Sequence, residues 1–260
     1  MSGNIDRYAV FGNPVTHSKS PQIHTLFAQQ TQQEILYTAE LAEIGQFNSA
    51  VNKFIENNGK GLNVTVPFKE DAWSLAEKHS DRAARAGAVN TLVLQADGSL
   101  FGDTTDGVGL VRDLMQNHHV QLENKNILII GAGGAVRGVL ESLLDQRPAT
   151  LVICNRTKEK ALQLAEDFLN LGNISGCGLD ELDDRDFDIV INGTSASLKG
   201  DLPALPDTIF RKGSCCYDMM YSAEATPFMK WATEHGAEKV FDGLGMLVEQ
   251  AAESFYIWRN

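Results

Sequence analysis

An α/β fold built on parallel strands is predicted by three features of the sequence. First, Ile127-Leu128-Ile129-Ile130 ends abruptly in Gly131-Ala132-Gly133-Gly134-Ala135, and apolar positions then recur at Val136, Val139, Leu140, Leu143 and Leu144. That is the i, i+3, i+4 spacing of an amphipathic helix. Second, another apolar run, Thr150-Leu151-Val152-Ile153-Cys154, follows that helix and completes a β-α-β unit. Third, further short β-branched runs alternate with helical patterns along the chain. The glycines let the backbone turn sharply and let an anion's oxygens approach the free N–H groups of a helix start. Val136 stands where the usual dinucleotide fingerprint has a third glycine. Two readings of the turn therefore stay open: a pyrophosphate cradle, or a tight connection with no ligand.

The chain of 260 residues suffices for one large or two modest domains. Its net charge of −12 argues against a nucleic-acid surface. There is no stretch of about 18 apolar residues, so no membrane span is expected, and the lack of an apolar signal core points to the cytosol. Cys154, Cys177, Cys215 and Cys216 show no C-x-x-C spacing; the expectation is free, mostly buried thiols. The histidines show no metal-ligand spacing, and no metal site is expected. The acid run Asp180 to Asp186 reads as a solvated loop.

In the first half, Arg7 to Phe11 reads as a strand closed by Gly12-Asn13-Pro14. Ser20-Pro21 reads as a helix N-cap with proline at the first helical position, and Ile23, Leu26 and Phe27 as its buried stripe. Ser18 and Ser20 thus flank a helix start at a strand end. They suit a carboxylate, or serve as plain capping with Ser18 on the surface. Leu36 to Leu41 is a second strand and Phe47 to Ile55 a helix. In Leu62-Asn63-Val64-Thr65-Val66-Pro67-Phe68-Lys69, apolar residues alternate with Asn63 and Thr65, so one strand face is apolar and the other polar. Lys69 emerges past the proline at the entry to a helix over Asp71 to Glu77. It reads as a proton donor or acceptor, or as a solvated lysine that a helix N-terminus disfavours. Ala86 to Leu94 pairs with Ser99 to Gly102 as a hairpin across Ala96-Asp97-Gly98. After it, Asp103-Thr104-Thr105-Asp106-Gly107 leads into a helix with Leu110, Val111, Leu114 and Met115 inside. Alone, Asp106 reads as an N-cap and Asn90 as a turn or strand-edge amide.

In the second half, the strand Thr150 to Cys154 ends in Asn155-Arg156-Thr157-Lys158-Glu159-Lys160. An acid at such a strand end accepts hydrogen bonds from the ribose 2′-OH of NAD, whereas an arginine pairs with the 2′-phosphate of NADP. Asn155 and Arg156 stand there with no carboxylate ahead of them, so NADP is the expected cofactor. Phe187 to Asn192 is a buried strand ending in Gly193-Thr194-Ser195, small and polar enough for a backbone lying near a nucleotide. Strands at Ser214 to Asp218 and Lys239 to Phe241 flank a helix over Thr226 to Glu234. A last helix carries Leu247, Ala251, Phe255 and Trp258 on one stripe. Gln250 lies off that stripe, and spacing leaves it either a surface amide or a site residue.

Taken in order, these pieces resemble the shikimate dehydrogenase family. The motifs are Gly12-Asn13-Pro14 with His17-Ser18-Lys19-Ser20-Pro21; Asn63-Val64-Thr65-Val66-Pro67-Phe68-Lys69; Gly87-Ala88-Val89-Asn90-Thr91; Thr105-Asp106-Gly107; Gly131-Ala132-Gly133-Gly134-Ala135; Asn155-Arg156-Thr157; Asp218-Met219-Met220-Tyr221; and Gly243-Leu244-Gly245-Met246-Leu247 with Gln250-Ala251-Ala252. They run from about residue 8 to residue 258.

The resemblance implies NADPH-dependent, reversible reduction of 3-dehydroshikimate to shikimate, a step of aromatic amino-acid biosynthesis. It implies two α/β domains with the cofactor in the cleft: a substrate domain, 1–105 completed by 241–260, and a Rossmann-like doubly wound NADP-binding domain, 106–240. Lys69 would be the acid/base and Asp106 its partner. Ser18 and Ser20 resemble carboxylate binders, and Asn63, Thr65, Asn90, Tyr221 and Gln250 resemble residues that hold ring hydroxyls and carboxylate. Gly131, Gly133, Gly134 and Ala135 would wrap the pyrophosphate. Asn155 and Arg156 would take the adenosine phosphate, Met219 and Gly243 would lie by the nicotinamide, and Thr157, Lys160 and Thr194 would also contact the cofactor. The implied partner is a small molecule, with neither nucleic acid nor membrane, and the implied assembly a monomer or homodimer. Thr104, Gly193, Lys160 and Ala223 depart from the family's usual residues; of these, Lys160 weakens bidentate phosphate pairing. A quinate/shikimate dehydrogenase using NAD, a folate-linked methylene dehydrogenase and a non-catalytic NADP-binding module are the competing readings. Arg156 and the paired Lys69–Asp106 set weigh against them.

Overall fold

The computed structural model describes residues 5–182, 185–194, 202 and 204–260. Two compact units emerge, one of Met1–Gly109 with Leu247–Asn260, the other of Leu110–Met246. Each holds a six-stranded sheet.

The first unit contains β1 (Asp6–Gly12), α1 (Ser20–Thr31), β2 (Ile35–Leu41), α2 (Phe47–Glu56), β3 (Gly59–Val64), α3 (Lys69–Leu75), β4 (Lys78–His79), α4 (Asp81–Ala86), β5 (Thr91–Leu94) and β6 (Leu100–Asp103). Helix α5 (Asp106–Arg112) begins in it, and α9 (Leu244–Arg259) ends in it. The strand order is β2-β1-β3-β5-β6-β4. β1 pairs in parallel with β2 and β3, whereas β5 runs antiparallel to both β3 and β6. Alternation along β1 and β3 sorts their side chains by face. Ala9, Phe11, Leu62 and Val64 join one core with Phe47, Val51 and Phe54 of α2. Tyr8, Val10 and Tyr37 join another, against which Trp258 of α9 packs.

His24 lies in that second core. It is fully buried and stacked on Tyr37 with ring centroids 4.2 Å apart. Neither ring nitrogen has a hydrogen-bond partner among the described residues. Leu26, expected inside, is exposed, and the buried stripe of α1 is instead Ser20, Ile23, His24 and Ala28.

Helix α3 starts two residues earlier than the sequence suggests and the strand Phe210–Asp218 four residues earlier, and three further boundaries differ for a local reason. Helix α1 takes Lys19 as its cap residue, and the Ser18 hydroxyl accepts the Ser20 N–H at 3.2 Å. Ser20 itself is buried in the first turn. Strand β3 stops at Val64, and Val66 is exposed; the following Pro67 has no N–H to extend a ladder. Residues Ala86 to Asn90 precede β5 rather than belonging to it, because Ser80 caps α4 through its hydroxyl and Gly87, with φ near +60°, ends it. Met115, expected inside, is exposed.

The second unit contains β7 (Asn126–Ile130), α6 (Gly134–Leu144), β8 (Thr150–Asn155), α7 (Lys158–Phe168), β9 (Ile174–Gly178), β10 (Phe187–Asn192), β11 (Phe210–Asp218), α8 (Pro227–Glu234) and β12 (Lys239–Phe241). All pairings are parallel, in the order β12-β11-β10-β7-β8-β9. This is the doubly wound Rossmann order, reversing between β7 and β10. The sheet is buried on both faces: Ile127, Ile129, Leu151 and Ile153 point into one core, and Leu128, Ile130, Val152 and Cys154 into the other. The four cysteines are free and buried. No helix among the described residues is long and apolar enough to cross a membrane.

Burial among rings lowers the His24 pKa from 6.5 to about 3, so the folded state holds a neutral imidazole that the unfolded chain protonates. The resulting stability is complete above pH 6.5 and is lost as pH falls toward the folded value, about 2 kcal/mol going between pH 7 and pH 5. Urea unfolding of His24→Phe at those two pH values should show that part of the acid loss removed.

Candidate functional site

The polar edge of the first unit is built where β3 and β6 end and β5 begins. Lys69 opens α3, just past the proline that stops β3, and its backbone carbonyl accepts the Val89 N–H at 2.9 Å. Its ammonium pairs with the Asp106 carboxylate through Oδ2. Both side chains are largely enclosed, 13 % and 7 % exposed. Lys69 is therefore no solvated lysine, and Asp106 spends its carboxylate on this pair rather than on capping α5.

Asn90 organises the surroundings. Its Nδ2 lies 2.9 Å from Asp106 Oδ1, 2.9 Å from Thr105 Oγ1 and 3.1 Å from Gln250 Oε1. Its Oδ1 accepts the Thr105 N–H at 2.8 Å and the Thr91 hydroxyl at 2.9 Å. Gln250, buried rather than a surface amide, donates from Nε2 to the Leu247 carbonyl at 2.9 Å. Asn63 lies deeper. Its Oδ1 accepts the Tyr37 hydroxyl at 2.7 Å, while Nδ2 lies 2.9 Å from Ser254 Oγ and 3.2 Å from Thr91 Oγ1. The side chains of Lys69, Asn90, Thr105, Asp106 and Gln250 thus form one connected network, which Ser254 extends to Asn63. Ser18 and Ser20 stand together at the start of α1. Thr65, half-buried, donates its N–H to the Phe11 carbonyl at 2.9 Å.

Thr91, Ser254 and Tyr37 are the members that reading the sequence by itself does not select. A polar residue one turn beyond Gln250, between Ala251 and Phe255 of the apolar stripe, was the available signal for Ser254. Thr91 and Tyr37 gave none, being ordinary strand residues.

In the second unit the expected nucleotide residues lie at the C-terminal ends of the strands, where α/β sheets bind ligands. Gly131 ends β7 with φ +114°, a conformation that L side chains rarely adopt, and its N–H donates to the Cys154 carbonyl at 2.8 Å. Gly133 precedes α6, and a Cβ built there meets nothing within 4 Å. Gly134 and Ala135 form the first turn of α6. Thr194 turns its hydroxyl and N–H onto Asn192 Oδ1, at 2.8 and 3.1 Å; Ser195 lies outside the described residues. Gly243 packs so closely on Met219 that a Cβ would fall 2.2 Å from the Met219 carbonyl oxygen. Tyr221 is half-buried in the segment after β11.

At the end of β8, Asn155 Nδ2 donates to the Thr157 carbonyl at 2.9 Å and so holds the loop before α7. Arg156 and Lys160 are exposed, while Lys158 pairs with Glu181. An open glycine turn followed by a helix N-terminus, with an exposed arginine and no adjoining acid on the neighbouring strand end, fits a dinucleotide carrying a 2′-phosphate. Among the described residues, no group of three or more His, Cys, Asp and Glu could hold a metal ion.

Comparison with known proteins bears on this arrangement. Residues 10–92 match the shikimate dehydrogenase substrate binding domain, 113–199 the shikimate / quinate 5-dehydrogenase domain, and 243–260 the shikimate 5′-dehydrogenase C-terminal domain. Shikimate dehydrogenase (NADP(+)) of Cellvibrio japonicus is 56 % identical over 255 residues, covering 98 % of this chain and 92 % of its own length. The protein of the same name from Chromohalobacter salexigens is 58 % identical, covering 98 % and 93 %. The chain belongs to the shikimate dehydrogenase family. Among solved structures, an Ael1 enzyme from Pseudomonas putida superposes with a TM-score of 0.88 at 44 % identity, covering 98 % of this chain and 93 % of that one. The family member from Thermus thermophilus, solved with NADP(H) and shikimate, gives 0.85 at 31 %, covering 98 % and 94 %.

Family membership leaves the energetics of the site to this chain's own contacts. Replacing Asn90 by Ala removes the amide beside Asp106 Oδ1, Gln250 Oε1 and the Thr105 N–H, in a place where water is largely excluded. Loss of about 1–3 kcal/mol of folding stability is expected, read as a lower urea midpoint at unchanged slope.

Proposed function

We propose that this chain catalyses the reversible, NADP(H)-dependent interconversion of 3-dehydroshikimate and shikimate, with Lys69 as the acid/base and Asp106 as its partner. The observation that carries the assignment of roles is the enclosed Lys69–Asp106 pair, backed by the Asn90 amide. The family's curated relatives bear the name of this activity.

NADP(H), held by the second unit, would supply the hydride chemistry. The chain's residues manage the charge that this produces. As the ketone carbon is reduced its oxygen becomes negative, and the Lys69 ammonium donates a proton to it; in the reverse direction the amine takes the hydroxyl proton. Asp106 holds the ammonium in place and addresses the same hydroxyl. The hydroxyls of Ser18 and Ser20, at the start of α1, receive the substrate carboxylate together with Gln250. Asn63, Thr65, Asn90 and Tyr221 orient the ring hydroxyls. In the second unit, Gly131, Gly133, Gly134 and Ala135 would hold the pyrophosphate, Asn155 and Arg156 the adenosine phosphate, and Met219 and Gly243 the nicotinamide, with Thr157, Lys160 and Thr194 as further cofactor contacts. The free thiols suit a reducing compartment, which supports reading the cytosol as its location.

Mixing the protein with shikimate and NADP⁺, then NAD⁺, and following nicotinamide absorbance tests the reading directly; turnover with neither nucleotide rejects it. Lys69→Ala should lower turnover by about 10²-fold or more while leaving NADPH affinity nearly unchanged by fluorescence titration. Arg156→Ala should raise KM for NADP⁺ by about tenfold, the worth of one charge-assisted contact, and leave KM for NAD⁺ unaltered.

A further inference from the structure

Three residues before Asp106 stands a second buried carboxylate that this chemistry does not use. Asp103 closes β6 and is 5 % exposed. Arg82 of α4 grips it in fork geometry, Nε to Oδ1 and Nη2 to Oδ2, each at 2.7 Å. The Ser80 hydroxyl and the Thr104 N–H donate to Oδ1 as well. The main chain is fixed too, because the Asp103 carbonyl accepts the Asn90 N–H at 3.1 Å. Arg82 Nη2 also lies 3.6 Å from Glu253 Oε1 on α9, the helix that carries Gln250.

A buried ion pair contributes little net stability compared with apolar groups of similar size. A bidentate fork does set one orientation. Here the oriented group begins the segment from the end of β6 to Asp106, in which Thr104 and Thr105 are the only intervening residues. It also anchors the strand end on which Asn90 hangs.

We infer that Arg82 and Asp103 are a positioning pair for the reaction: their fork holds residues 103–106 so that Asp106 meets Lys69 and Asn90, and ties the same point to the helix bearing Gln250. The inference rests on the Lys69–Asp106 assignment above. Neither residue touches substrate in this scheme; both act through Asp106.

Arg82→Lys keeps the charge and loses the fork. Asp103→Asn keeps the shape and loses the charge. Each is expected to lower kcat/KM for shikimate by about tenfold, the scale of a small misplacement of a reacting group, with KM for NADP⁺ unchanged. In an Asp106→Asn background the Arg82→Lys loss should shrink below about twofold, because the arginine's effect passes through that carboxylate. Equal losses in both backgrounds, or a lowered Tm with wild-type kinetics in both single variants, overturn the inference and leave the pair merely structural. Lys69→Ala, assayed alongside, reads the parent assignment separately. Near-normal turnover there removes the lysine from its role, whereas the coupling of Arg82 to Asp106 is measured whatever that result.

Discussion

A carboxylate enclosed by protein is tolerable only when something replaces the water it has lost. Asp106 meets that condition with the Lys69 ammonium on one oxygen and the Asn90 amide on the other. Much of the first unit follows from it. Asn90 must present its amide nitrogen to the carboxylate, so its oxygen has to be satisfied from the opposite side, by the Thr105 N–H and the Thr91 hydroxyl. Those groups in turn need Ser254, and Ser254 needs α9 laid over this face. Such a network is worthwhile only if complete, since a half-satisfied polar cluster is worse than an apolar one. Completeness here is reached with residues 160 and 191 positions apart in the chain.

The second unit was the more legible half. Parallel strands buried on both faces are written as unbroken apolar runs, and Ile127 to Ile130, Leu151 to Cys154 and Ile189 to Ile191 announce themselves that way. The buried positions of α6 are those its periodicity gives. Strand β9 escaped, because Ile174-Ser175-Gly176-Cys177-Gly178 carries two glycines and little β propensity. The reason is steric: a Cβ at Gly176 would lie 2.3 Å from the Ala161 carbonyl oxygen, so α7 sits directly on the strand backbone.

In the first unit the pattern misled where polar residues entered the core. His24 is buried although it is polar, while Leu26, which a hydrophobic count places inside, is exposed, and the short β4 and α4 carry too few apolar residues to register. Residue by residue, Lys69, Asp106, Asn90 and Gln250 each admitted an ordinary structural reading. Only the ordered resemblance to a family set them together, since hydrogen bonds between distant positions leave no local periodicity. Arg82 and Asp103 stayed unremarked for the same reason: one is a surface-type residue on a short helix, the other a strand-end acid.

The first unit is discontinuous, its last helix contributed by residues that follow the whole of the second. Vectorial synthesis therefore delivers Asn63, Asn90, Thr91 and Thr105 to the ribosome's exit long before Gln250 and Ser254 exist to receive their hydrogen bonds. Until then the nascent first unit carries a sheet face with Tyr8 and Tyr37 lacking the cover of Trp258. The inserted second unit, continuous in the chain and holding its own two cores, meets no such delay. Assembly of the lysine-bearing half is thus timed by the late arrival of Leu247–Asn260.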